Sequence, residues 1–160
     1  MIQTPILIRS GTVGKPEPEL ARHRVIGLDT SPFIYLFERH PRYFSLSEAI
    51  FDYLKLPGIH GVTSIITLIE TCVQPQRVGR QDLVEIYERA LLGQSQVETI
   101  PIMPPVAKRA IALRVDYGFR VPDALQIAAA LEQGATLFIT NDRRLKKCTD
   151  LTVLALGDCL

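Results

Sequence analysis

Four acidic residues stand at positions where a folded domain rarely leaves a carboxylate without a partner. Two follow short apolar segments, one lies in an otherwise apolar helical segment and one follows a proline: Asp29, Asp142, Glu70 and Asp123. Carboxylates about 4 Å apart repel by roughly 4 kcal/mol at an effective dielectric of about 20, so a cluster of them takes up protons or binds a divalent cation. Oxygen ligands without His or Cys suit Mg²⁺ or Mn²⁺, and such cations most often serve phosphate chemistry.

Each acid also has an ordinary structural explanation. Asp29 and Asp142 could cap the helices predicted to follow them, and Asp123 lies where a helix dipole favours a negative charge. Glu70 shares one helix face with polar residues at spacings of three and four, namely Thr63, Thr67, Thr71 and Gln74. That stripe could be a solvated face, although it carries a single charge where a solvated face usually carries several.

The acids can converge because short apolar segments alternate with helical patterns from residue 25 onward. Strands are predicted at 25–29, 59–62, 97–102, 137–140 and 153–155. Helices are predicted from residue 30 and over 46–55, 63–73, 79–93, 104–117 and 122–134, with a short basic one from residue 142. This alternation predicts an α/β/α sandwich with a central parallel sheet of four to five strands. The carboxyl ends of such strands share one edge, which is where ligands bind.

Composition indicates one compact domain, since the 160 residues are 47% hydrophobic and 22% charged. Residues 1–24 are rich in Pro, Gly and basic side chains, which predicts a flexible leader before a domain at 25–160. The three cysteines lack disulfide or zinc-site spacing, and the chain has neither a secretory signal pattern nor a long apolar run. We therefore expect a cytoplasmic protein without a membrane segment.

Other phosphate and hydrolytic chemistries fit the sequence less well. There is no Gly-rich phosphate loop of either common pattern, and no Ser/His/Asp or Cys/His arrangement is evident. A formal net charge of +1 is far from the basic excess of a protein that coats DNA.

The four acids fall in short blocks at 25–31, 63–70, 121–128 and 139–142. In this order and spacing, the blocks resemble the PIN-domain ribonucleases, and in particular the VapC-type toxins of toxin–antitoxin pairs. The resemblance implies a Mg²⁺- or Mn²⁺-dependent endoribonuclease that cuts RNA by attack of a metal-activated water. It also implies a homodimer, and a small antitoxin partner whose tail enters the active-site groove.

The resemblance maps the family's acidic tetrad to the four acids, as catalytic residues and metal ligands. It marks a set of supporting polar residues, namely Thr30, Ser64, Thr140 and Asn141. Basic residues close to the acids in sequence are candidates for RNA backbone contacts: Arg77, Arg80, Arg143, Arg144, Lys146 and Lys147. A solvated helix face is the alternative for each of these. The competing function is a catalytically silent PIN-like domain that binds RNA or a protein partner.

Overall fold

The computed structural model describes residues 17–93 and 96–160, in which five strands form one wholly parallel sheet. The strands are β1 (Val25–Leu28), β2 (His60–Ser64), β3 (Val97–Ile100), β4 (Leu137–Thr140) and β5 (Thr152–Ala155). Their order in the sheet is β3-β2-β1-β4-β5. The central strand β1 therefore has a neighbour on each side, with Gly27 beside Val62 of β2 and Phe138 of β4.

The described residues also form seven α-helices, of which the first precedes β1: α1 (Glu17–Leu20), α2 (Thr30–Phe37), α3 (Phe44–Leu54), α4 (Ile66–Arg77), α5 (Gln81–Leu92), α6 (Pro104–Tyr117) and α7 (Val121–Glu132). Two short 3-10 segments, Arg143–Lys147 and Leu156–Asp158, flank β5. Local chemistry sets several ends, since Gly118 closes α6 in the left-handed conformation and prolines occupy the first turns of α6 and α7. In the described ranges, no helix is long and apolar enough to cross a membrane.

Two apolar clusters, one built on α6 and α7 and one on α2, α3 and α5, cover the sheet. The first contains Ile127 and Phe138, and the second contains Ile26 and Tyr87. The predicted α/β/α sandwich with a parallel sheet is thus confirmed, at the upper end of the expected strand number.

Helix α7 lies very close to the central strand. A Cβ added at Gly27 would stand 2.6 Å from Ala130 Cβ and 2.8 Å from the Phe138 ring, which no real contact allows. The Ala-rich face of α7 and the glycine of β1 therefore permit the close packing. This contact matters for the site, because α7 carries Asp123 at its first turn.

Several boundaries differ from the sequence-based prediction because strand pairing extends into a segment that was predicted helical. Thr63 and Ser64 pair with Thr99 and Ile100 of β3, so β2 runs to Ser64 and α4 starts later than expected. Helix α4 then continues through Pro75 to Arg77, beyond the predicted end. The short basic helix predicted from residue 142 is a 3-10 helix over Arg143–Lys147.

The end of the predicted leader packs against the domain. Leu20 is completely buried in the α2/α3/α5 cluster, and its carbonyl accepts a hydrogen bond of 3.1 Å from the Tyr53 hydroxyl. His23 is buried as well, with its Nδ1 2.8 Å from the Thr136 hydroxyl. Residues 17–24 therefore belong with the domain, while the prediction for residues 1–16 lies outside the described residues.

We expect Leu20→Ala to lower the free energy of unfolding by about 2–5 kcal/mol, because the change leaves a cavity in a filled core. Urea unfolding followed by circular dichroism measures the loss. Leu56→Ala is the matched control, since Leu56 is 50% exposed, and it should change stability by less than about 0.5 kcal/mol. Equal stability of the two variants would show that α1 does not hold to the core in solution.

Candidate active site

All four predicted acids line one open pocket at the carboxyl edge of the sheet. The lining consists of Asp29, Thr30, Ser31, Ile34, Tyr35, Glu70, Arg120, Asp123, Asn141 and Asp142. Strand β1 contributes its end, α2 its first two turns, and α4, α7 and the segment after β4 the remaining walls. The topology thus brings together residues that are far apart in the sequence.

Asp29 is the most enclosed acid and lies directly after the central strand. Its Oδ1 accepts a hydrogen bond of 2.8 Å from the Thr30 amide, and its Oδ2 accepts one of 2.6 Å from the Thr140 hydroxyl. Burial raises the pKa of Asp29 to about 6 against the opposing effect of these two donors, and the charges of Glu70 and Asp123 act in the same direction as burial. Asp29 is therefore a helix cap and a pocket acid at once.

Glu70 stands above a buried polar network. Its Oε2 accepts a hydrogen bond from the Thr30 hydroxyl, which in turn accepts one of 3.1 Å from the Gln126 amide. The same amide donates to the Thr67 hydroxyl at 3.0 Å, and Thr67 lies 2.7 Å from the hydroxyl of Thr63. This chain of hydroxyls and one amide ties α4, α7 and α2 together beneath the acids.

The polar stripe seen in the sequence is consequently not a solvated face. Thr63, Thr67 and Thr71 are buried, whereas Glu70 and Gln74 are exposed. The threonines satisfy their hydroxyls inside the protein, as Thr71 does by donating to the Thr67 carbonyl at 2.7 Å.

The two outer acids are each paired with an arginine of the pocket rim. Arg120 Nε donates to Asp123 at 3.2 Å, and Arg144 Nε donates to Asp142 at 2.9 Å. Hydrogen bonding from Arg144 lowers the pKa of Asp142 below its usual value, so this acid is ionised at neutral pH. Both arginine side chains are about 70% exposed, which leaves their guanidinium groups accessible to an anion.

An all-oxygen donor set of this kind fits a hard divalent cation by its chemistry. The spacing does not form a ready site, because within residues 17–93 and 96–160 no three His, Cys, Asp or Glu side chains are grouped closely enough to hold a metal ion. Side-chain donors satisfy the acids instead: Thr30 for Glu70, Arg120 for Asp123 and Arg144 for Asp142.

The predicted supporting residues have different local roles. Thr30 and Thr140 donate directly to pocket acids, and Thr140 also accepts a hydrogen bond of 3.0 Å from the Asp142 amide. Asn141 bridges the Tyr35 hydroxyl at 2.8 Å and the Gly157 amide at 3.0 Å. Ser64 is outside the pocket lining, and its hydroxyl accepts a hydrogen bond of 3.2 Å from the amide of Ile66, the first residue of α4.

Of the six basic residues predicted to contact RNA, only Arg144 bonds to a pocket acid within the part of the chain that the structure describes. The other five contact residues outside the pocket. Arg77 hydrogen-bonds to Gln74, Arg80 pairs with Asp82, Arg143 and Lys146 pair with Asp158, and the Lys147 ammonium lies over the Phe119 ring. None of the six residues lines the pocket itself. Their proposed contact with RNA stays a prediction.

Sequence reasoning missed several residues of the site, among them Arg120, Gln126 and Tyr35. Arg120 stands three residues before Asp123, a spacing that brings side chains together at a helix start. Gln126 was visible as a polar side chain within the Ala-rich segment 124–130, which should have marked it as a buried hydrogen-bonding residue. Nothing local distinguishes Tyr35 from a core aromatic residue.

Asp29→Asn should make the fold more stable at pH 7.5. The folded pKa of about 6 lies above the ordinary value of 3.8, so the native state binds more protons over this window and loses stability as the pH rises through it. Removing the charge should raise the free energy of unfolding by about 1–3 kcal/mol at pH 7.5, with the gain vanishing below about pH 4. Urea titrations at both pH values, in EDTA, measure the difference.

Asp82→Asn is the control, because Asp82 is an exposed acid whose pKa the neighbouring Arg80 lowers. That change should leave stability at pH 7.5 unchanged or reduced. A loss of stability in Asp29→Asn at pH 7.5 would mean that the hydrogen bonds from Thr140 and Thr30 outweigh the cost of burying the charge.

The solved structures with the same fold include toxins and toxin–antitoxin complexes. The VapBC2 structure from Rickettsia felis, bound to a promoter DNA fragment, shares 18% identity at a TM-score of 0.61 and covers 82% of this chain and 98% of that chain. A toxin–antitoxin complex from Klebsiella pneumoniae has 21% sequence identity and a TM-score of 0.60, and the match covers 82% of this chain and 97% of that chain. VapC20 from Mycobacterium tuberculosis is described as a sarcin-ricin loop cleaving toxin. It has 17% sequence identity and a TM-score of 0.59, and the match covers 71% of this chain and 86% of that chain.

At these identities the likeness to solved structures establishes a common fold. A search of curated protein sequences finds no match. The family comparison is more direct, because the model of the PIN domain matches residues 26–151, which is most of the chain and includes all four pocket acids. The chain belongs to the PIN domain family.

Proposed function

We propose that this protein is a divalent-metal-dependent endoribonuclease and the toxin of a toxin–antitoxin pair. The observation that carries the proposal is the convergence of Asp29, Glu70, Asp123 and Asp142 on one open pocket. Two comparisons support the same activity: the chain belongs to the PIN domain family, and one structural neighbour is described as a sarcin-ricin loop cleaving toxin.

Mg²⁺ or Mn²⁺ held by the four carboxylates would polarise a phosphate oxygen and lower the pKa of a bound water. Residues of this chain prepare the site for that role. Thr140 and the α2 amide of Thr30 hold Asp29 in one orientation, and the Thr30 hydroxyl orients Glu70. A water attacks the phosphorus of the RNA backbone and gives up a proton, and the bond from phosphorus to the leaving ribose oxygen breaks as that oxygen takes up a proton.

The rim arginines suit the substrate's charge. Arg120 and Arg144 are exposed, and a guanidinium group can bind two phosphate oxygens at once. We infer that they exchange their carboxylate partners for the RNA backbone when the acids engage a cation. This exchange would avoid an uncompensated loss of ion pairs during substrate binding.

Partners and location follow from the same proposal. The neighbours from Rickettsia felis and Klebsiella pneumoniae are described as toxin–antitoxin assemblies, which supports a small antitoxin for this chain as well. We also propose a homodimer that acts in the cytoplasm on RNA. The second candidate function, RNA or protein binding without cleavage, is favoured by one observation: Arg120 and Arg144 neutralise two of the acids.

Asp123→Asn should reduce RNA cleavage on the order of a hundredfold or more, because it removes one charge from the acidic pocket. The assay incubates structured and single-stranded RNAs with Mg²⁺, with Mn²⁺ or with EDTA and resolves the products on a gel. Asp82→Asn is matched closely, since it too removes an arginine-paired acid, but outside the pocket, and should cleave at the wild-type rate. Equal cleavage by both variants would reject the site assignment, and binding without cleavage by the wild type would support the silent domain.

Arg120→Ala should weaken RNA binding and reduce the slope of log Kd against log salt by about 0.7, the value expected for one lost phosphate contact on a single strand. Fluorescence anisotropy in Mg²⁺, with a single-stranded RNA analogue that keeps its phosphate charges but is not hydrolysed, measures binding without cleavage. Arg109→Ala is the control, because Arg109 pairs with Glu132 on α6 and α7, away from the pocket lining. An unchanged slope in Arg120→Ala would show that this arginine serves Asp123 alone.

A further inference from the structure

A cluster of aromatic rings borders the acidic pocket and has no part in the mechanism above. Tyr35 lines the pocket beside the acids, and its ring stacks on that of Tyr43 with centroids 4.6 Å apart and an interplanar angle of 17°. The His40 ring lies 4.7 Å from Tyr35 and 5.1 Å from Tyr43. These three residues are called the aromatic platform below.

The platform is held rigidly. Within the turn between α2 and α3, the His40 amide donates to the Tyr35 carbonyl at 3.0 Å, and the Tyr43 amide donates to the His40 carbonyl at 3.2 Å. The Tyr35 hydroxyl accepts from Asn141, which follows the last residue of β4. A ligand that stacks here meets rings already in place, so little side-chain entropy is lost on binding.

The charges around the platform favour a nucleotide. Arg42 is exposed and its guanidinium carbon lies 5.7 Å from the Tyr43 ring centroid, while that of Arg39 lies 5.1 Å from the Phe44 ring centroid. The nearby acid Glu38 accepts a hydrogen bond of 2.7 Å from the Tyr87 hydroxyl. Tyrosine rings and arginines next to one another are the combination that binds unpaired bases and their phosphates.

We propose that the aromatic platform is a subsite for one unpaired nucleobase of the RNA, which stacks on Tyr43 in the place that the exposed Arg42 guanidinium occupies, while Arg42 moves to the adjoining phosphate. The inference rests on the proposed nuclease function and deepens it. Because Tyr35 belongs to both the platform and the pocket, the stacked nucleotide lies next to the phosphate that is cut. A base in a duplex has both faces covered by its neighbours, so the subsite selects RNA that is single-stranded at this nucleotide.

Tyr43→Ala should weaken binding of a fluorescently labelled, mixed-sequence single-stranded RNA by about tenfold in EDTA, whereas Tyr43→Phe retains the ring and should bind within about twofold of wild type. Tyr117→Ala is the matched control. Tyr117 also stacks on a neighbour, Phe119, at 5.3 Å, but lies outside the pocket lining, so its removal should leave affinity unchanged. Thermal unfolding of each variant verifies the fold.

A second measurement uses the wild-type protein and so does not depend on how the variants fold. The same RNA is given a single abasic nucleotide at each position in turn. One position should show about a tenfold loss of affinity, and Tyr43→Ala should add no further loss with that abasic RNA, because both changes remove the same stack. Additive losses, or no sensitive position, would overturn the inference.

Cleavage by the wild type in Mg²⁺, measured in parallel, separates this inference from the proposed function. If the wild type cleaves RNA and Tyr43→Ala binds RNA with the same affinity as the wild type, the platform is rejected and the nuclease function is retained. Weakened binding in Tyr43→Ala without any wild-type cleavage would reject the nuclease and retain the platform as an RNA-binding site.

Discussion

The burial of one carboxylate at the end of the central strand constrains much of this structure. Asp29 follows the central strand β1 and is half-buried at the base of the open pocket, where burial disfavours its ionised form. Three groups limit that cost: the Thr140 hydroxyl, the first amide of α2 and the positive end of that helix. The position of β4, which carries Thr140, and the direction of α2 therefore both stabilise the Asp29 carboxylate.

Below the acids, α2, α4 and α7 meet through polar side chains whose donors and acceptors are hydrogen-bonded to one another. Gln126 bonds with the hydroxyls of Thr30 and Thr67 and so joins three helices at the floor of the pocket. Such a network specifies one arrangement, because a shift of any helix would leave a buried donor or acceptor unpaired. The close approach of α7 to Gly27 works in the same direction, as it allows little freedom to the helix that carries Asp123.

The arginine side chains at the pocket rim can move more freely than the buried polar residues at its floor. Arg120 and Arg144 are exposed side chains, and exposed ion pairs contribute little to stability. They can change partners at small cost, which is useful beside acids whose proposed ligands are a cation and a phosphodiester. The pocket thus combines acids fixed from beneath with basic groups free to move above them.

The amino-acid sequence by itself determined the strand and helix alternation, the parallel sheet and the positions of the four acids along it. Those features depend on local patterns, such as apolar runs, Pro and Gly at helix ends, and acids directly after strands. Tertiary structure decided which partner each side chain meets: that Thr67 of α4 faces inward to Gln126, and that Leu20 fills the core. It also decided that Tyr35 stacks on Tyr43 at the pocket. Such contacts arise between segments distant in sequence or across an irregular turn, so no local periodicity records them.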